Sequence, residues 1–345
     1  MKKNIADKGI KVLGIDIGKN TFHLHGINQR GKVVYRRKLS RKKLMENMVQ
    51  IPPCTVAMEA CGGAHHLMRR LKEFGHDVRL IAPQFVKPFV KSNKNDSLDA
   101  EAISEAALRP NMRFVPPKSV AQQDLQLIHR FRETAMKNRT QLINQARGAL
   151  IEFGIIIPKG AKNVRLYLPE ILEDADNELS FEMREELDHL RGEIVHVDDR
   201  IARYDAKIKA ACQSHEVCRL LLTIPGVGPI VATAMAAAVG DVSIFRSGRE
   251  MSAWLGLVPR QHSTGGKAWL LGISKRGNTY LRTVLIHGAR AALRAAKKKT
   301  DRRSCWATDL AARRGNNRAA VALANKNVRI AWALLSKNEE YKAAA

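Results

Sequence analysis

The segment Val12-Leu13-Gly14-Ile15-Asp16-Ile17-Gly18 is a short apolar run that contains one charged residue. Its length, its apolar composition and the glycine at its end predict a buried β-strand. A carboxylate in such a strand is costly unless positive charge compensates it, so Asp16 is a candidate functional residue. This strand is the first element of the predicted N-terminal fold.

Strand and helix patterns alternate after this first strand. Further strands are predicted at 22–27, 32–37, 55–58 and 78–81, and helices at about 41–48, 65–74 and 97–108. Three strands followed by helix, strand, helix, strand and helix is the order expected of a ribonuclease-H-like α/β domain. Pro110, Pro116 and Pro117 mark its end, so the first predicted domain covers residues 1–115.

The rest of the chain is predicted to be mostly helical. Apolar residues keep a 4-3 heptad spacing at Met183, Leu187, Leu190, Ile194, Val197, Ile201, Tyr204 and Ile208. This seam needs a partner, either the preceding helix or the same helix of another subunit. The fold class is therefore α/β + α, with a helical coiled-coil spacer at 116–215 and a mostly helical C-terminal domain at 216–345.

The composition indicates a nucleic-acid partner. The 345 residues carry a formal net charge of +26, which repels itself unless a polyanion neutralises it. A membrane surface is the competing polyanion, but the basic residues are spread along the whole chain and no apolar run reaches the length of a membrane span. Five cysteines without disulfide-framework spacing fit a reducing cytoplasm.

Four acidic residues form a candidate metal site. Besides Asp16, Glu59 directly follows the strand at 55–58, and Asp96 and Asp99 lie three residues apart at a helix start, on one face. Several buried carboxylates together need a cation, and hard oxygen ligands suit Mg²⁺, with Mn²⁺ as the alternative. Taken singly, Asp96 could be an ordinary helix cap and Asp99 an ordinary first-turn acid.

A glycine-rich segment predicts a helix-hairpin-helix turn. It runs from Leu221 to Ala232 and includes Pro225-Gly226-Val227-Gly228-Pro229. Gly226 and Gly228 would let the backbone approach a phosphate, and the N–H groups that open the next helix would face that anion. The alternative is a helix hairpin that only packs.

Ser263 lies in a polar, glycine-flanked segment that is predicted to be a turn. Its basic neighbours could hold phosphates: Arg260, Lys267, Lys275, Arg276 and Arg282. No aspartate follows to orient His262, so composition alone favours a phosphate-binding loop over a protease-like triad. Trp254 and Trp269 could stack on bases or pack in the core.

Three motifs resemble the DEDD motif of one family of insertion-sequence transposases: Gly14 to Lys19, Met58 to Gly62, and Lys94 to Ala100. The stretch from Trp254 to Arg282 is similar to the C-terminal transposase domain of the same family. The resemblance implies a Holliday-junction-resolvase-like N-terminal domain with Asp16, Glu59, Asp96 and Asp99 as Mg²⁺ ligands. It also implies Ser263 as the nucleophile that links to a DNA phosphate, with Thr264 in the competing register.

The resemblance further implies a transposase or recombinase of a bacterial insertion sequence. Such an enzyme cuts and rejoins donor and target DNA, is guided by a bridge RNA that the element encodes, and acts as a dimer or tetramer. We expect it in the bacterial cytoplasm, associated with the nucleoid. Two alternatives stay open, a hydrolytic Holliday-junction-type nuclease and a non-catalytic nucleic-acid-binding protein.

Overall fold

The computed structural model describes residues 9–91 and 96–342, and its contacts divide the chain into two compact units, Met1–Ser119 and Val120–Ala345. Lys94 and Asn95 of the predicted acidic motif lie outside the described residues. Within the described ranges, no helix combines the length and the apolar character that crossing a membrane requires.

The first unit is a mixed sheet with helices on both faces. Its strands are β1 (Val12–Ile17), β2 (Thr21–Ile27), β3 (Val33–Ser40), β4 (Thr55–Glu59), β5 (Asp77–Ile81) and β6 (Phe114–Val115), and its helices are α1 (Arg41–Gln50), α2 (Ala64–Glu73), α3 (Pro83–Val86) and α4 (Asp96–Ala107). The strand order is β3-β2-β1-β4-β5-β6. β1, β4 and β5 are parallel, whereas β2, β3 and β6 each run antiparallel to their neighbours.

Alternation along the strands divides the core between the two faces of the sheet. Leu13, Ile15, Val56 and Met58 pack with residues of α1 and α2, while Val12 and Ala57 belong to a separate cluster with α4 residues such as Ile103. Because successive side chains point to opposite faces, Asp16 and Glu59 project toward the α4 face. The strands and helices predicted for this unit are all present in the structure, whereas the two-residue β6 and the four-residue α3 were not predicted.

The second unit is mainly helical. Its helices are α5 (Val120–Glu152), α6 (Ala161–Glu173), α7 (Phe181–Ser214), α8 (Glu216–Leu222), α9 (Pro229–Val239), α10 (Gly248–Trp254), α11 (Thr279–Ala296), α12 (Arg302–Arg314) and α13 (Asn316–Lys337), and a hairpin of β7 (Pro259–Thr264) and β8 (Lys267–Ile273) interrupts them. Helices α8 to α13 enclose one large apolar core. The sequence did not predict the hairpin, because β7 is mostly polar and the apolar residues of β8 follow one another without alternating with polar ones.

The heptad seam of α7 packs on helices of its own chain. Leu187 and Ile194 share a core cluster with Ile143 and Leu150 of α5 and with residues of α6. Ion pairs flank the seam, with Arg132 to Asp205 and Arg139 Nη1 to Asp198 Oδ1 at 3.1 Å. Since the earlier residue of α5 meets the later residue of α7, the two helices are antiparallel.

Candidate active site and nucleic-acid interface

Asp16 lies near the end of β1, opposite His23 of β2. Its side chain is half-buried, and burial is the largest cause that raises its pKa. The carboxylates of Asp99 and Asp96 raise it further, and His23 lowers it. The predicted candidate is therefore a destabilised carboxylate beside two others.

Glu59 is the last residue of β4, the strand parallel to β1. Ile15 pairs with Met58, so the next residue of each strand brings Asp16 and Glu59 to the same edge of the sheet. Burial raises the pKa of Glu59, and the charges of Asp16 and Asp99 raise it as well. Two sequence-distant acids therefore repel each other at the carboxyl ends of adjacent parallel strands.

Asp96 and Asp99 lie in the first turn of α4, which crosses the sheet close to β1. Gly14 makes this approach feasible, because a Cβ at this position would lie 2.3 Å from the carbonyl oxygen of Ala100. Asp96 is exposed and its Oδ2 lies 3.7 Å from Nε2 of His23, while Asp99 is partly buried. The helix start thus brings its two acids to the carboxylates of the sheet.

A buried polar contact fastens the middle of α4 to β2. His25 Nδ1 and Ser104 Oγ are 2.8 Å apart, and Ser104 Oγ donates to the carbonyl oxygen of Glu101 at 2.8 Å. The hydroxyl has one proton, so His25 Nδ1 is the donor to Ser104. Glu101 in turn pairs with Lys91 and Arg36, each at 3.1 Å. These basic side chains therefore neutralise Glu101, a neighbour of the four predicted acids.

The residues present fit a hard divalent cation. The oxygen donors of Asp16, Glu59, Asp96 and Asp99 are the type that Mg²⁺ prefers. Burial and neighbouring carboxylates raise the pKa values of Asp16 and Glu59, and bound positive charge relieves this repulsion. Among the described residues, no three carboxylate, histidine or cysteine side chains have closed into the geometry of a formed metal centre. The four acids are neighbours rather than a finished ligand shell.

His23 is the residue of this site that sequence reasoning missed. It contacts Asp96 and acts electrostatically on Asp16. The signal was available, because only residues 18–20 connect β1 to β2. A connection that short pairs the end of the first strand with the start of the second.

The predicted helix-hairpin-helix segment is a tight turn between α8 and α9. Gly226 has a φ of +90°, and a Cβ there would lie 2.7 Å from the carbonyl oxygen of Gly288 in α11. Gly228 precedes α9 and has open space around its Cα hydrogen. The structure thus gives Gly226 a packing function, whereas only Gly228 leaves room for a ligand.

Ser263 lies in β7, next to the Gly265-Gly266 turn of the hairpin. It pairs across the hairpin with Ala268, and its Oγ accepts a hydrogen bond of 2.7 Å from Gln261 Nε2. Both turn glycines have positive φ, +57° and +76°. Since neighbours along a strand point to opposite faces, Ser263 and Thr264 do not share a face of the hairpin.

Four of the five predicted phosphate-binding cations are exposed: Arg260, Lys267, Lys275 and Arg276. Arg282 is different, with 7% of its surface exposed. Its guanidinium donates to the carbonyl oxygens of Leu255 at 3.2 Å and Arg276 at 2.7 Å, and burial lowers its pKa. Arg282 therefore braces the loop that presents Lys275 and Arg276 and offers no free cation itself.

Comparison with known proteins connects both regions to one family. A transposase model named DEDD_Tnp_IS110 matches residues 13–155, and the model of the IS116/IS110/IS902 transposase family matches residues 218–304. The first match contains the four acids, and the second contains the glycine-rich turn and the hairpin with Ser263. The two predicted motif regions therefore fall within separate models of transposase domains.

Full-length relatives carry related names. A probable family 20 transposase of Pseudomonas aeruginosa is 50% identical over 331 residues, covering 96% of this chain and 98% of the relative. The transposase for insertion sequence element IS1111A of Coxiella burnetii is 48% identical over 344 residues, covering 100% of this chain and 94% of the relative. The transposase for IS1328 of Yersinia enterocolitica is 40% identical over 330 residues, covering 95% and 97%. With these matches along its whole length, the chain belongs to the IS116/IS110/IS902 family of transposases.

Proposed function

We propose that this protein is an insertion-sequence transposase that cuts DNA and rejoins it through a phosphoserine intermediate. The observation that carries the proposal is the convergence of Asp16, Glu59, Asp96 and Asp99 at one edge of the sheet, where burial and neighbouring carboxylates raise the pKa of Asp16 and of Glu59. A site so rich in repelling carboxylates needs a cation, and transposition needs a site that acts on a phosphodiester. The order of strands in the first unit further supports a ribonuclease-H-like, Holliday-junction-resolvase-like domain.

The four carboxylates would bind the metal ion. Asp16 and Glu59 on the sheet and Asp96 and Asp99 on α4 would hold Mg²⁺, or Mn²⁺, through their oxygens. When bound, the ion supplies positive charge that polarises the scissile phosphate. The acids would thereby hold the scissile phosphate at this edge of the sheet, and the contacts of α4 with His25 and Gly14 would keep the acids in place.

Ser263 would carry out the covalent step of the reaction. Its Oγ would attack the phosphorus, forming an Oγ–P bond and breaking the bond from phosphorus to one DNA oxygen. The proton of the serine passes to the departing oxygen, so the products are phosphoserine and a DNA hydroxyl. A hydroxyl from another strand then attacks the phosphoserine and returns the proton to Ser263, which rejoins DNA without net hydrolysis.

The basic regions would position the nucleic acids. Exposed Arg260, Lys267, Lys275 and Arg276 and the turn at Gly228 would contact the backbone of DNA, with Gly226 fixing the shape of that turn. The net charge of +26 also suits a guide RNA that pairs with donor and target DNA. Strand exchange needs several active sites, so we propose a dimer or tetramer. We further propose that each chain is organised into three functional domains, at residues 1–115, 116–215 and 216–345.

Three single-residue variants test this function on the full-length protein. A donor DNA with element ends, target DNA and the element's RNA are incubated with Mg²⁺, and denaturing gels detect DNA-linked protein. Wild type should form the adduct and joined products; Asp16→Asn should form neither, and Ser263→Ala should lack the adduct. Cleavage that persists in Ser263→Ala would favour a hydrolytic nuclease. A wild-type protein that binds DNA but neither cuts nor joins it would favour a non-catalytic protein. An adduct that persists in Ser263→Ala and disappears in Thr264→Ala would move the nucleophile by one residue.

A further inference from the structure

The hairpin of β7 and β8 exposes more apolar surface than an isolated hairpin can stabilise. Every residue of β7 is exposed, as are all residues of β8 except Ile273. Trp269, Leu270 and Leu271 are 63%, 68% and 53% exposed. A two-stranded hairpin alone is only marginally stable in water, and adjoining exposed apolar side chains mark a binding surface. The hairpin therefore needs a partner to cover it.

The strand register gives the hairpin two chemically different faces. His262 pairs with Trp269 and Thr264 with Lys267, and directly opposed residues share a face. We call this side, made of His262, Thr264, Lys267 and Trp269, the tryptophan face. The other side, with the pairs Gln261–Leu270 and Ser263–Ala268, is the serine face. The proposed nucleophile and the exposed indole ring thus point in opposite directions.

We propose that the tryptophan face binds single-stranded DNA next to the cut phosphate, with the Trp269 ring stacked on an unpaired base. This inference rests on the proposed function, because the role of Ser263 is what brings a DNA strand to the hairpin. An indole stacks on any base, since every base has a π-face. Lys267 lies on the same face and supplies the positive charge for a flanking phosphate.

Charge selects DNA over a second protein copy as the occupant. From residue 251 to residue 300 the sequence contains no Asp or Glu, while Arg260, Lys267, Lys275 and Arg276 are exposed on and near the hairpin. Two such surfaces would repel each other, whereas a polyanion releases its counterions on binding. Trp254 gives a contrast, because its ring packs against Phe245 with 5.4 Å between centroids. The side chain of Trp269 is therefore more exposed to solvent than that of Trp254.

The two faces make the hairpin suitable as a wedge at a strand break. Apolar side chains that insert between base steps are a known means of unstacking bases and kinking DNA. On the serine face, Gln261 holds the Ser263 hydroxyl toward the backbone that is cut. On the tryptophan face, Trp269 would cover a base that has lost its stacking neighbour. One small element would then expose the phosphate and protect the adjoining base.

Binding by the full-length protein tests this inference. Fluorescence anisotropy would follow a labelled single-stranded DNA, the duplex of the same sequence and the matching RNA, with 2-aminopurine in a second oligonucleotide to report stacking. Trp269→Ala should weaken single-strand binding about tenfold and abolish the 2-aminopurine quenching, while Trp269→Phe should keep most of both. Phe181→Ala, which removes an aromatic side chain of α7 that is 84% exposed, is the matched control and should leave both unchanged. Duplex binding should change little in any of the three variants.

Each other result has a defined meaning. Wild type that binds no nucleic acid at all would overturn the proposed function together with this inference. Wild type that binds single-stranded DNA no better than Trp269→Ala would overturn only the inference. A Trp269→Ala defect confined to RNA would replace the DNA strand by RNA. A defect in self-association by analytical ultracentrifugation, with DNA binding intact, would replace DNA by a second copy of the chain.

Discussion

Nε2 of His23 lies 3.7 Å from Oδ2 of Asp96, and the same histidine stands opposite Asp16 across the β1–β2 ladder. One side chain therefore connects a carboxylate of the sheet to a carboxylate of the helix that crosses it. His23 lowers the pKa of Asp16, against the effects of burial and of the two neighbouring acids. It is the residue best placed to keep α4 and β1 in one geometry when a cation binds.

Replacing His23 by Ala should weaken cation binding without unfolding the protein. Groups that support metal ligands typically contribute a factor of about 10 to 100 in metal affinity or activity. The Mg²⁺ concentration that gives half-maximal DNA cleavage should therefore rise by about that factor, and calorimetry with Mn²⁺ should show the same loss. His66→Ala, an exposed histidine of α2, is the matched control. Equal metal affinity in the two variants would rule out a supporting role for His23.

The metal-free protein should become more stable when Asp16 is neutralised. Burial, Asp99 and Asp96 raise the pKa of Asp16, and burial, Asp16 and Asp99 raise that of Glu59. Between the usual and the raised pKa the folded state binds more protons than the unfolded state, so the free energy of unfolding falls as pH rises above about 4. At neutral pH both charges destabilise the fold. Asp16→Asn should therefore raise the melting temperature in EDTA.

Mg²⁺ should reverse the ranking of wild type and Asp16→Asn. A ligand at about 100 times its dissociation constant stabilises a folded protein by about 3 kcal/mol, and the variant lacks one ligand for it. Thermal unfolding with and without Mg²⁺ measures both effects. Asp77→Asn, an exposed acid paired with Arg79, should show no gain in EDTA. A lower melting temperature of Asp16→Asn in EDTA would contradict the proposed repulsion among the acids.

The sequence was most informative where local pattern and burial coincide. β1 has the predicted bounds, because so short an apolar run ending in glycine favours a buried strand. The carboxylates of Asp16 and Glu59 lie together because parallel strands end at the same edge of the sheet. Arg282 shows the limit. A basic residue at a helix start resembles a phosphate ligand, and its carbonyl partner at Leu255 lies 27 residues away in sequence. No local pattern could reveal that partner.

The Gly226–Gly288 contact gives a prediction for stability. A Cβ at Gly288 would lie 2.0 Å from the carbonyl oxygen of Gly226, and backbone cannot move aside as a flexible side chain does. Gly288→Ala should therefore lower the free energy of unfolding by about 1–3 kcal/mol, measured by urea denaturation. Gly148→Ala, in an exposed helical position with no atom within 4 Å of the new Cβ, should instead add about 0.5–1 kcal/mol.

Equal effects of the two alanines would show that helix propensity, and not the close approach, dominates at Gly288.

DNA binding separates the packing function from the ligand function of the same turn. If Gly226 serves packing and Gly228 leaves room for phosphate, Gly228→Val should weaken duplex binding with a small change in stability. Gly288→Ala should do the opposite at a temperature where the variant is folded.

A buried histidine connects three helices of the second unit. His129 of α5 is 2% exposed; its Nε2 is 3.0 Å from Thr233 Oγ1 of α9 and its Nδ1 is 2.9 Å from the hydroxyl of Tyr280 in α11. Thr233 Oγ1 donates to the carbonyl oxygen of Pro229 at 2.6 Å, so it accepts from Nε2, and Nδ1 accepts from Tyr280. This arrangement satisfies a neutral imidazole, and burial with the nearby Arg132 lowers the pKa of His129 to about 4.

Stability should therefore fall as pH drops from about 6.5 to about 4. In that window the unfolded chain protonates His129 and the folded protein does not, so the unfolded state binds more protons and acid favours it. A shift of this size corresponds to roughly 3 kcal/mol between its two ends. His129→Gln should be less stable at pH 7 and should lose this part of the pH dependence in urea unfolding, whereas His189→Gln, at an exposed position of α7, should keep the wild-type slope. NMR titration of the wild-type histidine signals provides a test that does not depend on the variant folding, because a His129 signal that titrates near pH 6.5 would show that the imidazole is not held neutral by its three-helix site.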